Sequence, residues 1–451
     1  MEQPSIQSTP ASLPMRRILN TWWPLAASWL LMGAELPALS AVVARLPNPE
    51  INLAAYGGIV NPLALIIESP IIMLLAASTA LSKDWASYRK LHRFMMATGA
   101  ALTFLHILVA FTPLYSLVAV GILGAPKEII EPGRTGLMIL LPWTWSIAYR
   151  RFNQGVLIRF GHSRAVGIGT VIRLSADALV LTAGYLVGTV PGIVVAAGAV
   201  SAGVLSEAIY AGLVVRPVIR NQLKFSPVVT PPLTLNGFLS FYFPLVMTSL
   251  LSLIVNPIGS AALSRMPNPL ESLAAWPVVT GLLFMFRSPG IAYNEVVVAL
   301  LDEPGSYKNL RRFTWILAVF TVGILLIMAA TPLSRFWFQV VSALDAHLVT
   351  LALIALWISV PIPGLNALQS WYQGSILYSR NTVGITQAVI VFLVACASML
   401  GAGVAWARAP GIYIAMATFG VAILLQTAWL WRKSRPVMKT VYQRDAVEKF
   451  K

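Results

Sequence analysis

Long apolar runs are the feature that most constrains the fold of this chain. Residues 54–81, 313–331 and 383–405 are three examples, and none of them alternates between apolar and polar positions. A backbone in hydrocarbon must satisfy its own hydrogen bonds, so it forms helices or a closed barrel. A helix needs about 20 apolar residues to span a bilayer, whereas a barrel strand needs about 10 alternating ones. The runs therefore predict membrane-spanning helices.

Composition supports lipid as the solvent for most of the chain. Charged residues make up 11% of the sequence and hydrophobic residues 57%, whereas a soluble domain carries about 25% charged residues. We therefore predict an all-α membrane protein. Its expected spans are residues 19–44, 54–81, 94–118, 135–158, 164–190, 192–215, 238–262, 273–300, 313–337, 347–376, 383–405 and 409–431.

The basic residues indicate the orientation of these spans. Although the net charge is +16, most Lys and Arg residues flank the apolar runs, which favours a topology signal over nucleic-acid binding. Most of those outside the spans fall on one side, and cytoplasmic loops carry such an excess. Both termini are thus expected in the cytosol, with the protein in the cell (inner or cytoplasmic) membrane. The first apolar run is too long for a signal peptide.

An internal repeat divides the chain into two halves. Residues 45–49 read RLPNP and residues 265–269 read RMPNP, an offset of 220, and the basic stretch 88–94 recurs at 307–313. Each half has six spans, so a pseudo-two-fold axis along the membrane normal should relate the lobes. The expected parts are a tail (1–18), an N-lobe (19–215), a connector (216–237), a C-lobe (238–431) and a tail (432–451).

Prolines recur at equivalent points within the spans of the two halves. Pro37 corresponds to Pro257, and Pro70 corresponds to Pro289. Proline removes a helix hydrogen bond and weakens or kinks a helix. These positions are candidate hinges or cavity-lining breaks, although membrane helices also tolerate proline without a functional role.

Several of these patterns have a known counterpart. Prolines kink the first and seventh spans, basic loops follow the second and eighth, and Gln-Gly pairs lie late in the fourth and tenth. In these respects the chain resembles the multidrug/oligosaccharidyl-lipid/polysaccharide exporter (MOP) superfamily, which has a MATE-like fold. Shorter patches resemble its progressive ankylosis branch, namely residues 22–25, Glu35, 53–57 and 104–111.

The resemblance implies export by alternating access between two lobes. It places the first, second, seventh and eighth spans at the cleft. The progressive ankylosis branch implies small anionic substrates such as pyrophosphate, citrate or nucleotides. Lipid-linked oligosaccharide flippases and cation-coupled multidrug exporters belong to the same superfamily, so both functions are alternatives.

Ionisable residues inside spans are costly and are candidates for function. Glu35 is the one acid in the first span and could carry a proton, or make a structural hydrogen bond. Glu68 and Arg287 occupy equivalent positions in the repeat and have opposite signs, so we predict that they face each other across the cleft. Glu295 and the cleft amides complete the candidate substrate and coupling site; these amides are Asn61, Asn256 and Asn294.

Other charges within the spans have both structural and functional interpretations. Arg173 and Asp177 are four residues apart and are expected to form a local ion pair, and Glu207 is expected to pair with a neighbour. Arg150 and Arg151 could form an anion vestibule, since arginine binds carboxylates and phosphates well. They could equally be interfacial side chains that extend to the cytosolic headgroups.

The predicted function is a transporter that exports a small organic or phosphate-containing anion. H⁺ and Na⁺ are the candidate coupling ions, and we expect a monomer that needs neither cofactor nor metal. A channel and a membrane enzyme are alternatives from other classes. The sequence contains no His-Glu-x-x-His, phosphate-binding-loop or Gly-x-Ser-x-Gly motif, so no catalytic residues are assigned.

Overall fold

A computed structural model describes residues 13–379 and 383–447, and these residues contain helices without any β-strand. Eleven helical segments are long and apolar enough to cross a membrane. A twelfth segment, residues 127–159, carries more charge and is made of Lys127–Ile139 and Leu141–Arg159. The predicted all-α architecture of about twelve spans is confirmed.

We number the twelve membrane segments in chain order from α1 to α12. They are Met15–Val43, Pro49–Leu81, Trp85–Phe111, residues 127–159, Ser163–Val187, Gly192–Asn221, Leu235–Leu263, Pro269–Leu300, Ser306–Ala330, Ala346–Tyr378, Val383–Trp406 and Gly411–Val447. We call α1–α6 the N-lobe and α7–α12 the C-lobe, after the halves of the sequence repeat.

The predicted tails and connector are more helical than expected. Segment α12 continues through Val447, so most of the expected tail 432–451 is an extension of the last span. Segment α6 likewise runs on to Asn221, and the connector then reaches α7 at Leu235. Residues 1–12 and 448–451 of the tails lie outside the described part of the chain.

Both described ends of the chain lie on one face of the molecule. The Leu13 N–H donates to the Pro304 carbonyl (3.0 Å), and an Arg444 guanidinium nitrogen donates to the Leu301 carbonyl (3.0 Å). Both contacts are made to the same loop between α8 and α9. We call this side the terminal face and the opposite side the far face.

The recurring RxPNP motif has a structural cause. Asn48 and Asn268 both adopt left-handed backbone conformations, with φ of 52° and 54°. Asparagine tolerates this region better than most residues. The prolines that follow, Pro49 and Pro269, occupy the first turns of α2 and α8, where the missing N–H has no cost. The motif thus starts the second helix of each lobe at the far face.

Backbone breaks divide the first helix of each lobe into two pieces. Segment α1 is interrupted at Ala34 and α7 at Ile254, each three residues before a proline, Pro37 or Pro257. Segment α2 is interrupted at Met73, shortly after Pro70. In contrast, α8 continues through Pro289 without interruption.

The terminal half of α1 packs against the opposite lobe. Met15–Gly33 lies along α8 and also contacts α9. The Trp22 indole N–H donates to the carbonyl of Pro289 (2.9 Å), and Arg17 pairs with Glu303 (2.7 Å). The first half of α1, although it lies in the N-lobe by sequence, therefore makes its contacts mainly with helices of the C-lobe.

The terminal half of α7 makes the reciprocal contact with the N-lobe. The Tyr242 hydroxyl donates to the carbonyl of Pro70 in α2. Phe238 packs edge-on against Phe94 of α3, with ring centroids 4.7 Å apart. Each lobe thus supports the terminal half of the other lobe's first helix.

Contacts between the lobes close the far face. Gly57 of α2 packs directly against Pro277 of α8; a Cβ at Gly57 would lie 2.7 Å from the proline ring. The Ser260 hydroxyl of α7 donates to the carbonyl of Gly58. Only glycine at position 57 allows this approach, so the far ends of α2 and α8 form a tight seal.

Two equivalent arginines strengthen this closure. Arg45 of the N-lobe donates to the carbonyl of Val341 (2.8 Å), which ends the π-helical turn after α9. Arg265 of the C-lobe donates to the carbonyl of Ile122 (2.8 Å), which ends the corresponding turn after α3. These carbonyls lack helical partners, so each guanidinium caps a turn of the opposite lobe. We call the two residues the arginine latch.

Candidate functional site

A cavity of about 470 Å³ lies within the C-lobe and is lined by α1, α7, α8, α10, α11 and α12. Arg287 of α8 reaches it from one wall. Its other polar lining residues are Ser252, Asn294, Glu295, Asn366, Gln369, Ser370, Gln373 and Gln426, and the aromatic ones are Trp29, Phe392 and Phe419. Trp29 comes from α1, because the terminal half of that helix packs on the C-lobe.

A chain of amides fixes the orientation of Arg287. Its Nε donates to the Oδ1 of Asn366. The Nδ2 of Asn366 donates to the Oε1 of Gln369 (2.9 Å), and the Nε2 of Gln369 donates to the Oε1 of Gln426 (2.9 Å). All three hydrogen bonds thus run in the same direction, from Arg287 toward Gln426. The two Nη nitrogens of Arg287 make no hydrogen bond to any residue within 13–379 or 383–447.

Arg287 has no acidic partner among the described residues. The predicted pair with Glu68 does not form in this conformation. Glu68 is buried within the N-lobe, within electrostatic range of Arg151 and Arg150. Equivalence in the repeat gave the two residues similar positions along their helices, but each side chain faces into its own lobe.

The remaining candidates of the C-lobe differ in their placement. Asn294 and Glu295 line the cavity with Arg287. Asn256 instead donates to the carbonyl of Leu253 on its own helix (3.1 Å) and caps the break in α7. Asn61 of the N-lobe follows the π-helical turn in α2 and is half-buried.

Glu35 is not the lone carboxylate that the sequence suggested. Its Oε2 forms an ion pair with Arg173 of α5. Asp177 lies on the other side of Arg173, with 4.0 Å between Nε and Oδ2. The expected local pair is therefore the weaker contact, and α1 is tied to α5 through the stronger one.

A second buried ion pair lies deeper in the N-lobe. Arg150 of α4 pairs with Glu207 of α6, and the exposed fractions of the two side chains are 6% and 1%. Gln154 also donates to Glu207 (2.8 Å). The predicted anion vestibule is thus wrong for Arg150, because its guanidinium is enclosed and neutralised by a carboxylate.

The N-lobe network retains buried polar atoms that have no hydrogen-bonding partner. They include both carboxylate oxygens of Asp177, the Oε2 of Glu68 and the Nε atoms of Arg150 and Arg151. A buried polar group without a partner is costly. The network therefore holds unused donors and acceptors among the described residues.

The sequence missed the amides that hold Arg287. Asn366, Gln369 and Gln426 come from α10 and α12, far from Arg287 along the chain. The Gln-Gly pairs of the sequence could have indicated these sites. Gln154 and Gln373 are equivalent in the repeat; Gln154 donates to Glu207, and Gln373 lines the C-lobe cavity. No group of three His, Cys, Asp or Glu residues suited to a metal ion occurs in the described residues.

Solved structures share this arrangement of helices over nearly the whole chain. An inward-closed structure of the lipid II flippase MurJ superposes with a TM-score of 0.68 and 13% identity, covering 94% of this chain and 91% of that one. An inward-facing multidrug resistance MATE family transporter gives 0.64 and 14% identity, covering 93% and 99%. The fold is that of the MOP superfamily.

A third solved structure shares the same arrangement of helices. It is a transporter from Pyrococcus furiosus described as having a binding pocket of reverse polarity, with a TM-score of 0.57 and 13% identity, covering 95% of this chain and 99% of that one. No protein-family model and no curated protein matches the sequence. The comparisons thus show the fold that this chain shares with these transporters.

Proposed function

We propose that this protein is an alternating-access exporter of a small organic anion, which binds in the C-lobe cavity. The observation that carries the proposal is Arg287: within the described chain, its intramembrane guanidinium faces a cavity and has amide partners but no carboxylate. An uncompensated charge at this depth is expensive. An anionic substrate offsets that cost when it binds.

The chemistry of the cavity supports a carboxylate or phosphate group. The fork of Arg287 matches such groups in two parallel hydrogen bonds. Gln369 holds the amide chain in place, while Gln373 and Asn294 offer further polar contacts along the wall. Glu295 faces the same cavity and repels multiply charged anions. We therefore propose a solute with one strongly acidic group and a donor that can reach Glu295.

The size of the cavity favours a soluble solute over a lipid-linked oligosaccharide. About 470 Å³ lies within the range of about 300–1,000 Å³ typical of small-molecule sites. The flippase alternative rests on the likeness to MurJ and predicts translocation of a lipid-linked substrate. The multidrug alternative predicts cationic substrates, which Arg287 repels.

The N-lobe network is our candidate for ion coupling. Glu35 is held by Arg173, whereas Asp177 and Glu68 keep buried oxygen atoms without partners. We propose that one of these two carboxylates takes up a proton during the cycle. Either Asp177→Asn or Glu68→Gln is then expected to make anion transport insensitive to a pH gradient while substrate binding persists, and retained pH dependence in both variants would contradict the proposal. A Na⁺ gradient that drives transport at constant pH would favour Na⁺ coupling.

The proposal is tested by transport in proteoliposomes. Candidate anions come first from metabolite profiles of media from cells with and without the protein. Their uptake is then measured for wild type, for Arg287→Gln and for the exposed control Arg408→Gln. We expect about a 100-fold loss for Arg287→Gln, because removing a charged partner in a desolvated site costs about 2–5 kcal/mol, and no loss for the control. Normal anion transport by Arg287→Gln would contradict the proposal.

A further inference from the structure

A second cavity opens on the terminal face of the C-lobe, away from the site of Arg287. It has a volume of about 800 Å³ and lies between the start of α9 and the end of α12. Its basic lining residues are Lys308, Arg311 and Arg312, and its aromatic ones include Trp315 and Tyr442. We call it the basic groove.

The described acids around the groove are already engaged by other groups. Glu303 pairs with Arg17 (2.7 Å). Asp445, which lines the groove, pairs with Arg444 (2.7 Å) and accepts a hydrogen bond from the N–H of Tyr307 (2.9 Å). Asp302 lies 3.6 Å from the same arginine.

The three cations of the groove consequently lack acidic partners within residues 13–379 and 383–447. Lys308, Arg311 and Arg312 are all exposed. They leave the groove with an excess of positive charge. Three cations on one turn repel each other, so an anion that bridges them is stabilised.

The equivalent groove of the N-lobe is covered by the chain itself. There Lys90 donates to the carbonyl of Leu233 in the connector (2.6 Å). Asp84 accepts a hydrogen bond from the N–H of Val229 in the same connector (2.9 Å). No described segment covers the C-lobe groove in this way. The two halves thus share an exposed basic helix start, but only in the N-lobe does a described segment, the connector, pack against it.

The surroundings of the groove match the headgroup region of a bilayer. Trp315 lies about 13 Å along α9 from its first residue, at 1.5 Å per residue, and its side chain is 52% exposed. Tyr442 is 59% exposed at the other edge. Exposed Trp and Tyr side chains concentrate at membrane interfaces, and basic pockets at the ends of spans hold anionic headgroups.

We propose that the basic groove binds the phosphate headgroup of an anionic phospholipid from the leaflet at the terminal face. The phosphate lies between Lys308, Arg311 and Arg312, and the acyl chains run along α9 past Trp315. This site is independent of the anion cavity at Arg287. A lipid bound here would link the start of α9 to the end of α12.

Native mass spectrometry of the detergent-purified protein tests the proposal. Binding of phosphatidylglycerol is compared with that of phosphatidylcholine, for wild type and for Lys308→Gln/Arg311→Gln/Arg312→Gln. We expect wild type to prefer phosphatidylglycerol and the triple variant to bind it about 100-fold more weakly, since each cation near a membrane surface contributes about a fivefold effect. The matched control is Lys83→Gln/Arg89→Gln/Arg93→Gln in the N-lobe, which removes the same charge and should bind normally.

Other outcomes overturn the proposal. Equal binding of the two lipids, or equal loss in the control, would show that the groove has no headgroup specificity. Displacement of phosphatidylglycerol by millimolar inorganic phosphate would assign the groove to a free anion instead. Should the triple variant fail to elute as a single species, Arg311→Gln alone is expected to weaken binding about fivefold, and unchanged binding would reject the site. These binding measurements do not require transport activity, so they are independent of the proposed function.

Discussion

Two arginines within the spans show how neighbours decide the role of an intramembrane charge. Arg173 lies between Glu35 and Asp177, so its charge is compensated inside the protein. Arg287 meets only amides among the described residues and faces a cavity. The first arrangement favours a structural or coupling role, and the second favours binding of an external anion.

The ion pair between Arg173 and Glu35 predicts a change in stability. Arg173→Gln leaves the half-buried Glu35 without its cation. Loss of one partner of a fully buried pair costs about 3–5 kcal/mol, so a smaller but measurable cost is expected here. We expect a lower melting temperature in detergent, measured by intrinsic fluorescence. The double variant Glu35→Gln/Arg173→Gln should recover part of the loss, because Glu35 no longer carries a charge without a cation, whereas Asp177 still lacks Arg173. An equal loss in both variants would show that the pair contributes little.

At this scale the sequence identified the charged residues but not their partners. Glu35, Glu68, Arg150 and Arg287 were all singled out from their positions within apolar runs. Their partners lie on helices that are distant along the chain. A rotation of a helix by the angle between two successive residues would change which partner a side chain contacts. Repeat equivalence therefore predicted a pair between Glu68 and Arg287 that the packing of each lobe does not form.

At the scale of elements, breaks divide the first helix of each lobe into two pieces. Pro37 and Pro257 correctly indicated the breaks in α1 and α7, because a proline removes the hydrogen bond of the preceding turn. Pro289 did not break α8, since packing on α1 and α10 supports that helix on both sides. The helical extension of α12 was also missed, because its charged composition resembles that of a solvated tail.

The arginine latch gives a prediction about these elements. Arg45→Ala/Arg265→Ala removes charge-assisted hydrogen bonds across the far face, each worth about 1.5–3 kcal/mol. We expect the population with an open far face to rise at least about tenfold. Spin labels at Thr112→Cys and Thr331→Cys, at the far ends of α3 and α9, report this as a longer distance in a Cys396→Ser background.

The control for the latch is Arg335→Ala/Arg408→Ala, which removes two exposed arginines that make no hydrogen bond to described residues. Its distance distribution should match that of wild type. If the latch variant also matches wild type, the far face is held by the packing of Gly57 against Pro277 alone.

At the scale of the whole molecule, the two lobes contact each other at both faces, through different pairs of helices at each face. On the far face α2 meets α8, with Gly57 against Pro277. On the terminal face α1 lies on α8 and α7 lies on α2. Alternating access requires the first set of contacts to part, whereas the contact of α1 with α8 can persist as the lobes rock.

Two disulfides distinguish these contacts. A Cβ at Gly33 of α1 would lie 3.2 Å from the Oγ of Ser288 in α8, so Gly33→Cys/Ser288→Cys can form a bond that ties α1 to α8. We expect oxidation to leave transport largely intact. Gly57→Cys/Pro277→Cys ties the two lobes at the far face, and its oxidation should abolish transport until a reductant is added. Both are made in the Cys396→Ser background and assayed in proteoliposomes.

The breaks in α1 and α7 also fix the geometry of that rocking. Ala34 and Ile254 are equivalent residues, and any line that joins a point to its two-fold image crosses the symmetry axis at a right angle. Because this axis follows the membrane normal, the line through the two breaks lies parallel to the membrane plane. In the alternating-access cycle proposed above, rotation about this line would widen one face by the angle through which the other narrows, so a single pair of residues would set the conversion between inward and outward access.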